Sequence, residues 1–156
     1  MKQFFRGFKY AFNGLIFCIK NERNFRFDIC MAAFMIYIKS FYALSSSENA
    51  IFYISIFLVL GFEALNTAIE ACVDIISKEY SILGKIAKDT SAGAVLICAF
   101  SSVIVGIILF FDIGIIKEIV LYHLDNLNNL IFVALYTVMA YCFTFKIFKN
   151  NNKGIK

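Results

Sequence analysis

The chain has 156 residues, a length typical of one domain. Hydrophobic residues make up 61% of it, charged residues only 17%, and the mean hydropathy is +0.78. Soluble domains average roughly 45–50% apolar and about 25% charged residues, so this composition excludes an ordinary soluble domain and indicates an integral membrane protein. The net charge of +4 suits basic segments beside anionic lipid, and no segment resembles a nucleic-acid-binding module.

Residues 2–24 predict an amphipathic helix. Large apolar side chains recur there at three- and four-residue steps, and the basic and polar side chains fall mostly elsewhere. The apolar face consists of Phe4, Phe8, Phe12, Leu15 and Ile19. This pattern is typical of a helix that lies in the membrane interface. A helix packed on its own protein would show the same pattern, and the two interpretations are compatible.

Four apolar segments follow, and about 20 residues are needed to cross a bilayer core of roughly 30 Å. We predict spans at 27–44, 49–77, 90–111 and 127–148. The first segment is short, and Lys39 near its far end can extend its ammonium group to the lipid headgroups. Residues 112–126 are interpreted as a linker of mixed charge, in which His123 is expected to be a solvated loop residue.

The distribution of lysine and arginine predicts the topology. Residues 1–26 carry six of them, the loop 77–89 carries three, and residues 146–156 carry four. The turn 45–49 has none, and the linker 112–126 has one. Short cytoplasmic segments are enriched in these residues, so we expect four spans with both termini in the cytoplasm. The carboxyl-terminal end of the second span then also faces the cytoplasm.

That end carries an acidic stripe within the segment EALNTAIEACVD, residues 63–74. At about 100° per residue, Glu63, Asn66, Glu70 and Asp74 fall on one side of a helix whose other sides are apolar. Ionisable groups in a membrane span cost at least ~2.5 kcal/mol each at the bilayer centre and usually serve a function. A hydrogen-bonded ladder between helices and a proton or cation path remain alternatives to a catalytic site.

Further polar groups flank the same membrane face. Glu22 and Asp28 lie at the start of the first span, and Lys88 and Asp89 precede the third. Carboxylates from separate elements can hold Mg²⁺, which prefers carboxylate oxygens together with substrate phosphates. Phosphoryl transfer needs such an ion, cationic groups and a base that orients the attacking hydroxyl. The chain has no GxxxxGK[ST] loop and no kinase glycine loop, so a nucleotide site would be built in another way.

The sequence resembles the small prokaryotic integral-membrane lipid kinases, which comprise diacylglycerol kinase and undecaprenol kinase. The resemblance covers roughly residues 6–112. It rests on GFKYAFNGL (7–15), NERNFR (21–26), EALNTAIEACVD (63–74) and KIAKDTSAGAVL (85–96). It implies an all-α integral membrane fold, with an N-terminal amphipathic surface helix and three core transmembrane helices, assembled as a homotrimer with shared active sites. Residues 1–114 would be the membrane lipid kinase domain.

Residues 115–156 are expected to form a linker, an additional C-terminal transmembrane helix at 127–148 and a basic tail. This part does not match the short members of the family. The additional helix could cover an edge of the trimer or bind a partner, and the sequence alone does not distinguish these roles.

The resemblance also implies an enzyme that uses ATP and Mg²⁺ to phosphorylate a lipid alcohol, at the cytoplasmic face of the bacterial inner membrane. Glu63 would be the catalytic base that accepts the lipid hydroxyl proton, and Asn66 would position the reacting groups, so both would contact the lipid substrate. Glu22 and Glu70 would ligate the metal. The nucleotide-binding positions would be Tyr10, Glu22, Glu70, Asp74, Lys88 and Asp89.

The segments NERNFR and FKYAFNGL are more similar to the undecaprenol kinase branch, which favours undecaprenol as substrate, with diacylglycerol as the alternative. Asp28 departs from both branches, because the diacylglycerol branch has a glutamate there and the undecaprenol branch tends to have histidine. Ala11 stands where the diacylglycerol branch has serine. We expect Arg23 and Arg26 to hold lipid phosphates at the interface rather than ATP.

Overall fold

The computed structural model describes residues 2–76 and 81–145, and all of its regular secondary structure is helical. The six helices are α1 (Lys2–Asn21), α2 (Arg23–Lys39), α3 (Ser46–Ile76), α4 (Ile82–Phe110), α5 (Ile113–Leu124) and α6 (Leu127–Phe145). Contacts between neighbours place the four longer helices after α1 in the order α4, α3, α2, α6, and α1 packs against both α2 and α3. The expected all-α fold is confirmed.

Three of these helices are long and apolar enough to cross a membrane, namely α3, α4 and α6. Helix α2 has 17 residues, and it ends at Lys39 rather than continuing to residue 44 as predicted. The Ser40 hydroxyl bonds back to the Tyr37 carbonyl at 2.6 Å, and the chain then turns toward α3. A serine that bonds to the preceding turn offers the backbone an alternative to further helix.

Helix α3 begins three residues earlier than predicted because Ser45 and Glu48 form a reciprocal capping box. The Ser45 N–H donates to Glu48 Oε2 at 2.7 Å, and the Glu48 N–H donates to Ser45 Oγ at 3.3 Å. Such a pair satisfies two N–H groups that have no partner inside the helix. The helix has 31 residues, which at about 1.5 Å per residue makes it longer than a bilayer core of ~30 Å.

Helix α4 begins eight residues before the predicted span, because Ser81 caps it by accepting from the Gly84 N–H at 3.3 Å. The segment 82–89 was predicted to be loop and is instead the first two turns of the helix. A Cβ built on Gly84 would lie 3.0 Å from Val73 Cγ1, so α3 and α4 approach closely at this end. This early start holds the polar residues of the segment at fixed positions against α3.

The predicted linker also contains a helix. Asp112 caps α5 by accepting from the N–H groups of Gly114 and Ile115 at 2.8 and 3.1 Å. The expectation for His123 was wrong, since this residue is half-buried and its Nε2 lies 2.8 Å from the Tyr37 hydroxyl of α2. An imidazole packed among aromatic rings is stabilised there by its polar contacts rather than by water.

Helix α6 packs along the side of α2. The Tyr136 hydroxyl donates to the carbonyl of Cys30, the Tyr136 ring stacks on Phe34, and Phe132 contacts the Tyr37 ring. The predicted span 127–148 is thus helical from Leu127 to Phe145, and its last three residues lie outside the described part of the chain.

Arg26 joins three helices at the end of the molecule where α1 ends, α2 begins and α6 ends. It is only 7% exposed. Its Nη1 donates to the carbonyls of Ile19 and Lys20 at 3.0 and 3.2 Å, and its Nε and Nη2 donate to the carbonyl of Thr144 at 3.3 and 3.1 Å. The guanidinium thus caps the last turns of both α1 and α6, where the helix dipole favours a cation. The expectation that Arg26 holds lipid phosphate was therefore wrong.

Few apolar side chains are buried within the described part of a single chain. The buried ones are Cys18, Phe25, Phe52 and Phe110, while many large apolar residues on α3, α4 and α6 are exposed. Phe52 and Phe110 make an edge-to-face contact at 5.5 Å, and the Tyr42 hydroxyl donates to the Phe110 carbonyl at 2.8 Å. Helices that are apolar on all sides require lipid or other protein surfaces around them.

Replacing Arg26 by lysine should destabilise the fold, because one ammonium group cannot reach the carbonyls of both α1 and α6. Charge-assisted hydrogen bonds contribute about 1.5–3 kcal/mol each, so we expect a loss of about 2–3 kcal/mol in the free energy of unfolding. The measurement is thermal unfolding of the purified protein in detergent micelles. Arg23→Lys is the matched control, since Arg23 is exposed and lies over the Phe145 ring at 5.8 Å. Equal melting temperatures for the two variants would contradict this account.

Candidate active site

The polar residues lie close together near the C-terminal end of α3 and the N-terminal end of α4. The junction between α1 and α2 crosses α3 at this place. Glu63 is the most deeply placed of the acidic residues on α3, with 4% of its surface exposed. It lies seven residues before Glu70, which is about 10 Å along the helix axis. The capping of α4 at Ser81 and the junction at Glu22 bring side chains from three directions toward this stretch of α3.

Glu63 is surrounded by polar and acidic groups. The Asn24 side chain hydrogen-bonds to the Glu63 carboxylate, and the carboxylates of Asp28, Glu22 and Glu70 all lie within electrostatic range of it. The Asn24 amide compensates part of the cost of desolvating this carboxylate, whereas the three neighbouring carboxylates repel its ionised form. The group that the sequence assigns as base is thus shielded from water and held by a neighbour on α2.

Glu22 lies between α1 and α2, as the residue that precedes the first turn of α2. Burial raises the pKa of Glu22 above its ordinary value, and the nearby Glu70 carboxylate raises it further, while the Arg26 guanidinium lowers it. The two carboxylates therefore repel each other when both are ionised. A cation between them would relieve that repulsion.

The predicted metal ligands fit Mg²⁺ by their chemistry. In the described part of the chain, no group of three or more His, Cys, Asp and Glu residues is arranged to hold a metal ion. Two carboxylates are nevertheless sufficient for Mg²⁺ when substrate phosphates and water supply the other oxygens. Glu22 and Glu70 come from different elements and lie within electrostatic range of each other, which is the kind of donor set this ion takes.

Asn66 connects Glu70 to helix α4. Its Nδ2 donates to Glu70 Oε1 at 2.9 Å, and its Oδ1 accepts from the Ser91 hydroxyl at 2.6 Å. Ser91 is 8% exposed. The three side chains form one hydrogen-bonded row across the α3–α4 interface. Both polar ends of the Asn66 amide are satisfied, as expected for a half-buried amide.

Lys88 and Asp74 form an ion pair at the outer edge of the site. The Lys88 ammonium contacts Asp74 Oδ1, and the side chains are 35% and 67% exposed, respectively. Exposed ion pairs contribute little to stability, with a median of about 0–1 kcal/mol. An accessible ammonium beside the carboxylates is instead suited to contact an anionic ligand.

Two predicted site residues are not brought to this cluster within the single chain. Tyr10 is 68% exposed on α1 and lies twelve residues before Glu22, about 18 Å along the helix axis. Asp89 is exposed on α4, next in sequence to Lys88 but turned from it by about 100°.

A cavity of about 480 Å³ opens below the acidic cluster, between α2, α3 and α4. It runs from Phe27 and Asp28 at the end near Glu63 to Phe110 and Phe111 at the far end. Val59 and Leu60, which lie one turn before Glu63 on α3, form part of its wall, and nearly all of its lining is apolar. Its shape and polarity suit an aliphatic chain.

The sequence analysis did not single out Ser91 or Asn24 as site residues. Ser91 follows Lys88 by three positions, so the two share a face once α4 is known to begin at Ile82. Asn24 lies within the motif NERNFR, but its contact with Glu63 depends on how α2 is rotated against α3. The spacing of Ser91 from Lys88 was available in the sequence, whereas the contact between Asn24 and Glu63 required the structure.

The sequence is similar to one protein family and to individual lipid kinases. The profile described as prokaryotic diacylglycerol kinase matches residues 9–110, which is well over half of the chain. An undecaprenol kinase of Bacillus subtilis (strain 168) is 36% identical over 110 residues, covering 70% of this chain and 89% of that protein. A diacylglycerol kinase of Synechocystis sp. is 39% identical over 100 residues, covering 64% of this chain and 57% of that protein.

A diacylglycerol kinase of Escherichia coli (strain K12) is 34% identical over 103 residues, covering 66% of this chain and 84% of that protein. The matched profile contains the complete acidic stripe of α3 and all of α4, whereas α5 and α6 lie beyond it. A kinase family implies ATP as the phosphoryl donor, and the apolar helices that could cross a membrane fit a multi-pass protein. The chain belongs to the prokaryotic diacylglycerol kinase family and is a membrane lipid kinase.

Proposed function

We propose that this protein transfers the γ-phosphate of ATP to undecaprenol at the cytoplasmic face of the bacterial inner membrane, with Mg²⁺ as the required ion. The observation that carries the proposal is the position of Glu63. This buried carboxylate lies one helical turn above an apolar cavity and beside the carboxylates of Glu22 and Glu70. A lipid chain in the cavity would bring its hydroxyl to the base and to the nucleotide phosphates.

In this mechanism Glu63 accepts the proton of the lipid hydroxyl. As that oxygen forms its bond to the γ-phosphorus, the bond between the γ-phosphorus and the oxygen of ADP breaks. Asn24 holds the Glu63 carboxylate, and the low exposure of Glu63 excludes water as a competing acceptor. A positioned base of this kind contributes roughly 10²–10⁴-fold to the rate.

Glu22 and Glu70 are the residues that would hold Mg²⁺, which when bound neutralises charge on the ATP phosphates. Asn66 fixes one oxygen of Glu70 by its 2.9 Å hydrogen bond and leaves the other for the ion. At the outer edge, Lys88 supplies a positive charge to the phosphates, with Asp74 holding it in place. Tyr10 and Asp89 remain proposed nucleotide-binding residues, and both are exposed and accessible to ATP or to another subunit.

The preference for undecaprenol rests on the segments NERNFR and FKYAFNGL and on the match to nearly the full length of the Bacillus subtilis undecaprenol kinase. Diacylglycerol is the second candidate, supported by the diacylglycerol kinases of similar identity. Both substrates present a hydroxyl on an aliphatic lipid, and the mechanism is the same for either.

The topology proposed here has four spans and both termini in the cytoplasm, with α1 on the membrane surface. Helix α2 has 17 residues, the lower end of the roughly 17–25 that span a bilayer core. The contact between Arg26 and the Thr144 carbonyl brings the end of α6 to the start of α2, which supports placing both termini on the same side. The homotrimer that the resemblance implies is proposed as the functional assembly, and the exposed apolar surfaces of α3 and α4 are available to lipid or to neighbouring subunits.

Glu63→Gln should lower phosphoryl transfer at least 100-fold, because the amide cannot accept the proton, while melting temperature and oligomeric state stay near wild type. Phosphoryl transfer is measured with labelled phosphate from ATP to lipid. Melting temperature is measured by thermal unfolding, and oligomeric state by size-exclusion chromatography. Glu118→Gln on α5, an exposed carboxylate remote from the site, is the control. A Glu63→Gln protein that is fully active, or changed only in stability or assembly, would leave Glu63 with a structural role.

Glu22→Gln and Glu70→Gln should each raise the Mg²⁺ concentration needed for half-maximal activity, by about tenfold, since each removes one charged ligand. The test is a Mg²⁺ titration at fixed ATP and lipid, with wild type and Glu118→Gln alongside. An unchanged Mg²⁺ requirement in both variants would refute their assignment as ligands.

Phosphoryl transfer to undecaprenol should exceed transfer to diacylglycerol when both lipids are offered in parallel to the purified protein in bilayers. A preference for diacylglycerol would retain the mechanism and replace the substrate. Absence of transfer to either lipid by folded protein, with Mg²⁺ present, would refute the proposed function.

A further inference from the structure

Ser91 makes a hydrogen bond between helices that the proposed mechanism does not use. It lies on α4, is 8% exposed, and its Oγ is 2.6 Å from Asn66 Oδ1 and 2.9 Å from the carbonyl of Lys88. A hydroxyl has one proton and can donate it fully to only one of these acceptors. The Lys88 carbonyl can also accept from a backbone N–H group of its own helix. We therefore assign the Ser91 proton to the shorter bond, which is the one to Asn66 Oδ1.

This donation and the Glu70 carboxylate together set which way the Asn66 amide points. With Oδ1 accepting from Ser91, Nδ2 faces Glu70 and donates to its Oε1 at 2.9 Å. In the opposite orientation, the amide oxygen would face the Glu70 carboxylate, and two acceptors would oppose each other. The terminal torsion of an asparagine is broad and roughly two-fold, so only its neighbours select the orientation.

We propose that Ser91 is a positioning residue that holds the Asn66 amide as a donor to Glu70 and thereby orients the Glu70 carboxylate toward Glu22. The inference rests on the proposed function for its catalytic meaning, since Glu70 is the group that would bind the ion. Ser91 itself touches neither substrate nor metal. Its effect is transmitted through two hydrogen bonds whose distances are 2.6 and 2.9 Å.

Ser91→Ala removes one oxygen atom and adds no bulk, so the helix interface is retained. The Asn66 amide is then held only at its nitrogen end, by Glu70, so the amide and the Glu70 carboxylate lose their fixed position. We expect the Mg²⁺ concentration for half-maximal activity to rise about fivefold to tenfold, corresponding to the loss of one hydrogen bond between neutral groups. The Michaelis constant for the lipid should stay within about twofold, because the lipid cavity is not altered.

Ser91→Thr restores the hydroxyl and should return the Mg²⁺ requirement to within about twofold of wild type. Ser55→Ala is the matched control, because the Ser55 hydroxyl on α3 donates only to the carbonyl of Phe52 in its own helix, at 2.8 Å. A second measurement that does not depend on turnover is calorimetric binding of ADP in the presence of Mg²⁺. Ser91→Ala should weaken it, whereas Ser91→Thr and Ser55→Ala should not.

The contact itself is tested by a double-mutant cycle on thermal unfolding with Ser91→Ala, Asn66→Ala and the combined variant. Coupled, non-additive effects are expected for residues that share a hydrogen bond. Additive effects, or a Ser91→Ala protein with wild-type Mg²⁺ requirement and ADP binding, would overturn the inference about Ser91 alone. An inactive wild type would overturn the proposed function instead, and coupling in the cycle would still support the Ser91–Asn66 contact.

Discussion

The buried guanidinium of Arg26 is the interaction on which the rest of the structure depends. A cation removed from water is strongly destabilising unless its charge and its N–H groups are compensated. Here the compensation comes from the carbonyl ends of α1 and α6, where aligned peptide dipoles concentrate negative charge. One residue thereby holds three helices together at the end of the molecule where the candidate site lies.

The positions of the carboxylates proposed for the active site follow from this junction. Glu22 lies four residues before Arg26, at the short break between α1 and α2, and the two side chains interact electrostatically. At this break the Arg26 guanidinium binds the last carbonyls of α1. Glu22 is consequently held toward Glu70 of α3, and the mutual repulsion of these acids makes the free site receptive to cations.

The acidic stripe could be predicted from the sequence because helical periodicity alone decides that Glu63, Asn66 and Glu70 share a face. The ends of the helices were less well predicted, since hydropathy marks the part of a helix inside the membrane and not its full extent. Ser45 with Glu48, and Ser81, carry the capping signals that set two of these ends. Applying the capping rules to those serines would have corrected both.

Contacts between helices could not be predicted from the sequence, for a different reason. Whether Asn24 meets Glu63, or His123 meets Tyr37, depends on how each helix is rotated about its axis against its neighbour. Along most of their lengths α3, α4 and α6 are apolar on every side, so the usual division into a polar and an apolar face does not fix that rotation. Arg26 was misassigned for the same reason, because a basic residue near the interface looks the same in sequence whether it faces lipid or backbone.

The attachment of α6 divides between the main chain and the side chains. At the end of the helix the acceptor is the main-chain oxygen of Thr144, which every amino acid supplies, but the Thr144 side chain is also buried and its Oγ1 lies 4.0 Å from Cys30 Sγ. Farther along the helix, Tyr136 and Phe132 contact α2 through their side chains. A different segment at this place would therefore need matching side chains as well as a carbonyl, and loss of the segment would leave a buried arginine with fewer acceptors.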